Sequence, residues 1–211
     1  MTKKSIIGLL ILNLYIFGNF LYIKSAYSKE LQNTENLCSI FRQEKKWYKW
    51  AKNSERKWAV PIPILMSIIR HESGFIPNAK PPRTKCLLIL PGPRPSSAYG
   101  YAQAIDRTWK SYQRATNNYS AKRTNFKDAV DFVGWYCHIS YKKCGIRKND
   151  AYGLYLVYHE GQKGFNRKTY LKKKWLMRRA KTVKRTYFSY TRQLRSCESE
   201  FMRKRGCFWP F

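Results

Sequence analysis

A chain of 211 residues with 42 Lys and Arg against 12 Asp and Glu carries a formal charge of +30, and 44% of it is hydrophobic and 16% aromatic. That much Trp, Tyr and Phe excludes a disordered basic tail and fits one domain with a sizeable core. The charge points to polyanionic partners.

The first 28 residues carry Lys3 and Lys4, an apolar run from Ile6 to Ile23, and the small residues Ala26 and Ser28 placed for cleavage after Ser28. This is the pattern of a secretory signal peptide. The run is also long enough to serve as an uncleaved anchor. No cysteine follows closely enough for lipid attachment, since Cys38 lies ten residues past the cut, and no other stretch is apolar enough to span a membrane. Cleavage leaves 39 basic and 12 acidic residues, a balance of +27, in a single domain over 29–200 with a tail over 201–211. In an exported protein such charge points to anionic glycans or an anionic envelope surface; nucleic acid is not expected. The expected location is the periplasm or cell envelope, and the expected state a monomer.

All six cysteines, Cys38, Cys86, Cys137, Cys144, Cys197 and Cys207, lie beyond the leader. An even count in an exported protein argues for disulfides, with 15 pairings open. The preferred bond is Cys38 to Cys197, because each begins or ends a long helical segment and the bond would close the domain across its termini. Cys137 and Cys144 would staple a short turn, leaving Cys86 and Cys207. None has zinc-like spacing.

From Leu37 to Trp58 the residues Leu37, Ile40, Phe41, Trp47, Trp50, Ala51 and Trp58 predict one or two amphipathic helices with a lysine-rich outer face. Pro61 and Pro63 then open a central helix, where proline is tolerated in the first turn. In it Ile64, Leu65, Ile68 and Ile69 recur at helical spacing, and Glu72 continues the same stripe before Gly74 ends the helix. A carboxyl there meets burial and the negative end of the helix dipole, both of which raise its pKa and suit a general acid. The plainer alternative is a surface Glu at a helix end, paired with Arg70.

Residues 77–97 hold six prolines and predict an irregular loop, followed by Ser97-Ala98-Tyr99-Gly100-Tyr101-Ala102-Gln103. Small residues here let backbones approach closely, and the Gln103 amide beside aromatic rings makes a surface that suits a sugar. A helix is predicted over Phe126–Tyr141 with Ala129, Phe132, Val133, Tyr136 and Ser140 inward and His138 structural. Another, over Ala151–Glu160, is capped by Asp150. The last helix is predicted from Trp175 to Ser196, with Leu176, Ala180, Val183, Tyr187, Tyr190 and Leu194 inward. Its outer face carries Arg178, Arg179, Lys181, Lys184, Arg185, Arg192 and Arg195, read either as a solvated face or as a tether to an anionic envelope.

Three of these stretches together resemble the lytic transglycosylases, peptidoglycan-cutting enzymes related to goose-type lysozyme. Glu72-Ser73-Gly74-Phe75 matches the family's Glu-Ser-x-Phe at a helix end. Ser97 to Gln103 matches its Gly-Ala-x-Gly-Leu-Met-Gln at Ala98, Gly100 and Gln103. Val157-Tyr158-His159-Glu160-Gly161 keeps the tyrosine and glycine of Ala-Tyr-Asn-Ala-Gly. Trp47-Tyr48-Lys49, the run from Pro91 to Gln103, and Phe132 to Tyr136 are similar to a subgroup of small exported members with one such domain, so the resemblance spans about residues 37–200.

The resemblance implies a mainly α, lysozyme-like single catalytic domain that cuts the bond between N-acetylmuramic acid and N-acetylglucosamine without water, leaving 1,6-anhydromuramyl ends. Glu72 would be acid and then base, Ser73 would help hold it, and Tyr158 would orient the sugar or Glu72. Tyr99, Gly100 and Gln103 would line the glycan groove. Glu160 departs from the family, which has a small residue there. It would be a second carboxylate of a hydrolytic muramidase if it faced the groove, and otherwise would meet a basic neighbour such as Lys163. A non-catalytic basic protein that binds glycan on the same scaffold is the rival from another class. No cofactor or metal is implied.

Overall fold

Proline and glycine set most of the boundaries of this helical fold. The structure is a computed structural model that describes residues 31–86 and 90–202. Among those residues seven α-helices follow one another: α1 Leu37–Gln43, α2 Trp47–Trp58, α3 Ile62–Ser73, α4 Asp106–Thr116, α5 Phe126–Cys144, α6 Ala151–Asn166 and α7 Lys174–Met202, with a 3-10 turn at Thr169–Lys172. The architecture is mainly α and lysozyme-like, as the sequence leads one to expect. None of the described helices is long and apolar enough to cross a membrane. The expected leader, Cys207 and the end of the expected tail lie outside the described residues.

The caps follow from local chemistry. Asn36, Asn125 and Asp150 each accept a backbone N–H in the first turn of α1, α5 and α6. Pro61 precedes α3 with Pro63 in its first turn, and Gly74 stops it in the left-handed conformation at φ 61°. The Leu37–Trp58 stretch is two helices. α4 was not anticipated, although Asp106 in its first turn and the inward Trp109 and Tyr112, three apart, carry its signal. In the proline-rich stretch the expected irregular loop contains a small antiparallel pair, β1 Lys85–Cys86 with β2 Leu90–Pro91, Cys86 opposite Leu90. Gly92 N–H donates to Thr84 O at 2.7 Å beside it.

α3 is the central helix: Ile62, Ile64, Leu65, Met66, Ile68 and Ile69 are fully buried. It packs against α2, α5 and α7. Each such side chain removed from water stabilises by about 1.5–3 kcal/mol, so truncating Ile68 to Ala would cost about 2–4 kcal/mol. Beside it Trp47 of α2 stacks on Phe126 of α5, centroids 3.7 Å apart and planes within 2°, with Phe75 and Tyr101 against the same indole. This cluster locks the residue after Gly74 and the Tyr99–Gln103 turn onto one support.

Cys38 and Cys197 are bonded, Cα to Cα 6.1 Å, joining α1 to α7 across 159 residues as expected. Around the bond Leu37 N–H donates to Gln193 Oε1 at 2.8 Å and Tyr48 Oη to Glu198 Oε1 at 3.0 Å. α7 runs beyond the expected Ser196, and Phe201 packs on Phe41 and Tyr48, so the first residue of the expected tail belongs to the helix. The expected Cys137–Cys144 bond is absent; both thiols are free. The physical reason is that α5 continues through Cys144, and seven residues of helix separate the two by about 10 Å, beyond the roughly 7 Å a disulfide spans.

Candidate active site

Glu72 sits in the last turn of α3 with its side chain half-buried on the wall of a cavity of about 530 Å³. Burial pushes its pKa up to about 7, against the opposing pull of a hydrogen bond from Tyr155 and the positive charge of Arg179. At neutral pH the carboxyl is thus divided between protonated and ionised forms, which suits a group that must donate a proton and then accept one. The alternative partner Arg70 is taken: it forms an ion pair with Glu35 and donates Nη1 to Thr186 Oγ1 at 2.9 Å. Glu72 is therefore not a surface Glu paired with Arg70.

Two residues that the sequence reading missed surround the acid. Tyr155, buried on α6, hydrogen-bonds Glu72 and also meets Arg179 of α7. Arg179 donates Nη2 to the His71 carbonyl at 2.9 Å, so α3, α6 and α7 converge beside one carboxyl. Tyr155 stands three residues before Tyr158 on one helix face, a spacing that could have flagged it. Arg179 looks like any outward arginine until α7 is docked.

The second motif holds the opposite wall. Gly100 has φ +76°, and a Cβ there would lie 2.2 Å from the Arg123 carbonyl oxygen, so only glycine fits. Its N–H donates to Ala79 O at 2.9 Å. Gln103 lines the cavity, and its Nε2 donates to Ala79 O at 2.9 Å and Gly100 O at 2.8 Å, tying the turn together. Ala98 and Ala104 share that wall. Tyr99 and Gly100 support it from outside the lining, with the Tyr99 ring flanked by Lys80 at 5.2 Å and Arg123 at 5.4 Å. Ser73 is buried and donates to Ile69 O of its own helix at 3.3 Å, which directs its hydroxyl away from the expected role of holding Glu72.

The third motif closes the cavity. Tyr158 lines it, packs on Tyr136, and donates Oη to Ala102 O at 2.6 Å, joining the second motif to the third. Glu160 lines it too, with a side chain only 3% exposed. Its partner is Lys173, not Lys163: Lys173 Nζ donates at 2.7 Å, His159 Nδ1 lies at 3.2 Å, and Thr169 adds a third bond. Burial works to raise the Glu160 pKa, but the bonds from Lys173, Thr169 and His159 outweigh it and hold the carboxyl below the usual range. Gly161 follows at φ +70°, ψ 162° and breaks α6 into two.

The histidines are structural or peripheral. His71 Nε2 pairs with Thr186 Oγ1 at 2.8 Å, and burial, aided by Arg179 and Arg70, lowers its pKa to about 4, so it stays neutral. His138 Nδ1 meets Trp58 O at 3.3 Å, and His159 meets the Trp175 ring edge to face at 5.0 Å. Among the described residues no group of three or more His, Cys, Asp or Glu could hold a metal ion.

The model of one family, described as the transglycosylase SLT domain, matches residues 14–197. No curated protein and no solved structure matches the chain.

Proposed function

Since the chain belongs to the transglycosylase SLT domain family, and so to the lytic transglycosylases of peptidoglycan, we propose that Glu72 carries out the whole proton chemistry of a non-hydrolytic cut. Protonated Glu72 gives its proton to the oxygen joining N-acetylmuramic acid to N-acetylglucosamine. That C–O bond breaks, the substrate's own acetamido group supports the charge developing at C1, and the N-acetylglucosamine hydroxyl leaves. Ionised Glu72 then takes the proton of the muramyl 6-hydroxyl as its oxygen bonds C1. The result is a 1,6-anhydromuramyl end, Glu72 is again protonated, and no water is consumed.

The observation that carries this reading is one acid of raised pKa on a cavity whose other carboxylate, Glu160, is already engaged by three donors. A Glu160 so held is poorly placed to activate water, which weighs against the hydrolytic muramidase. In this reading Gln103 and Tyr158 shape the groove, Tyr155 and Arg179 set the state of Glu72, and the leader delivers the protein to the envelope.

The test is mass spectrometry of purified peptidoglycan incubated with oxidised protein and with Glu72→Gln. Muropeptides ending in 1,6-anhydromuramic acid, lost on substitution, are expected. Reducing ends carrying one added water would instead make the protein a hydrolase. Binding without release by well-folded wild-type protein would leave the glycan-binding role.

A further inference from the structure

Exposed apolar side chains are common on protein surfaces and need no explanation one at a time. Trp175 differs from the exposed Leu171 and Phe188 in its neighbours. It is 51% exposed at the first turn of α7, and its ring meets His159, a residue of the cavity wall, edge to face at 5.0 Å. The backbone beneath it is fixed on both sides. Lys173, two residues earlier, is pinned to the buried Glu160 at 2.7 Å, and Leu176, the next residue, is fully buried in the core. The departure from the family at Glu160 therefore has a visible structural consequence: it anchors the start of α7, and with it an indole, beside the rim of the Glu72 cavity.

We propose that Trp175, steadied by His159 and by the Glu160–Lys173 pair, is an aromatic platform for an amino-sugar ring of the glycan strand where the strand leaves the cavity. This rests on the reading of the site as a glycan-cutting one. A cavity of about 530 Å³ encloses only a small ligand, whereas a glycan strand is a polymer and must continue across the rim. A sugar presents a face of C–H groups with slight positive character, which complements the negative face of an indole. Trp buys this contact at low entropic cost because its side chain has two rotatable angles. Half its surface is already in water, so covering it with a sugar adds apolar contact without opening the fold.

The test is titration calorimetry of full-length, oxidised Glu72→Gln protein with a tetrasaccharide of alternating N-acetylglucosamine and N-acetylmuramic acid, beside the same protein carrying Trp175→Ala or Trp175→Phe. The alanine variant is expected to bind roughly five- to tenfold more weakly, the scale of one ring contact, and the phenylalanine variant to recover most of that. Equal affinity in the alanine variant overturns the platform while leaving the lytic reading intact. A second measurement needs no substitution at Trp175: oxidation of tryptophans by N-bromosuccinimide, mapped by peptide mass, with and without tetrasaccharide. Protection of Trp175 is expected, and an unprotected Trp175 at saturating tetrasaccharide overturns the proposal. If wild-type protein neither binds the tetrasaccharide nor releases anhydro-muropeptides, the reading of the site fails and this inference falls with it.

Discussion

In the proposed reaction Glu72 loses a proton and regains it in one turnover, and its surroundings supply opposed influences: burial favours the neutral form, Tyr155 and Arg179 the ionised one. Turnover is expected to fall as pH rises through about 7, where the acid form is lost, as read from initial rates across pH. Tyr155→Phe removes a hydrogen bond that favours the carboxylate, so it should move that falling limb to higher pH and slow the step in which Glu72, then a weaker acid, gives up its proton. The same group has a consequence for stability. Its folded pKa of about 7 stands above the ordinary 4.5, so the folded state holds the proton more tightly and stability is lost as pH rises from about 4.5 to about 7. Glu72→Gln should therefore unfold at higher urea than wild type at pH 8, by about 3 kcal/mol, and at nearly the same urea at pH 4. The stripe of α3 made Glu72 a candidate in the sequence, and the match of Glu72-Ser73-Gly74-Phe75 to the family motif preferred it over a surface Glu. Tyr155 and Arg179 were not legible, because their meeting with Glu72 joins residues of three different helices.

At the scale of elements, the site depends on two glycines held in the left-handed region and on one crosslink. Gly100→Ala would place a methyl 2.2 Å from the Arg123 carbonyl oxygen at φ +76°, and is expected to cost about 2–4 kcal/mol in thermal unfolding and to displace the Gln103 wall. Gly161 at φ +70° has open space around it, so alanine there meets only backbone strain, of order 1 kcal/mol. Cys38→Ser opens a loop of 159 residues and should cost roughly 2–5 kcal/mol in urea unfolding. The disulfide was legible because both cysteines lie on helices at the two ends of the domain. The mistaken Cys137–Cys144 bond came from ending α5 three residues early, since a helix cannot bring residues seven apart together. Phe201 was assigned to the tail for the same kind of reason: its burial depends on Phe41 and Tyr48, far off in sequence.

For the molecule as a whole, charge is the dominant property. Arg178, Lys181, Lys184, Arg185, Arg192 and Arg195 are exposed on α7 and none is in an ion pair with a described residue. Against a chain balance of +30, this face should hold the protein on vesicles containing phosphatidylglycerol at low salt and release it as the Debye length shrinks from about 10 Å at 0.1 M to about 3 Å at 1 M. Co-sedimentation across a salt series measures it. Binding that ignores salt, or that is equal on neutral vesicles, would assign the charge to solubility alone.

The sequence by itself determined the helical class, the place of Glu72 at the end of α3, the three motifs and the closing disulfide, because helical periodicity, helix-ending glycine and cysteine placement act over a few residues or at the two ends of the domain. Only the tertiary structure decided that Glu160 is bound to Lys173, that Arg179 reaches the His71 carbonyl in the last turn of α3, and that Trp175 stands beside His159 at the rim. Each of those facts is a meeting of side chains from separate elements. Their positions follow from how α3, α6 and α7 pack, which no local pattern encodes.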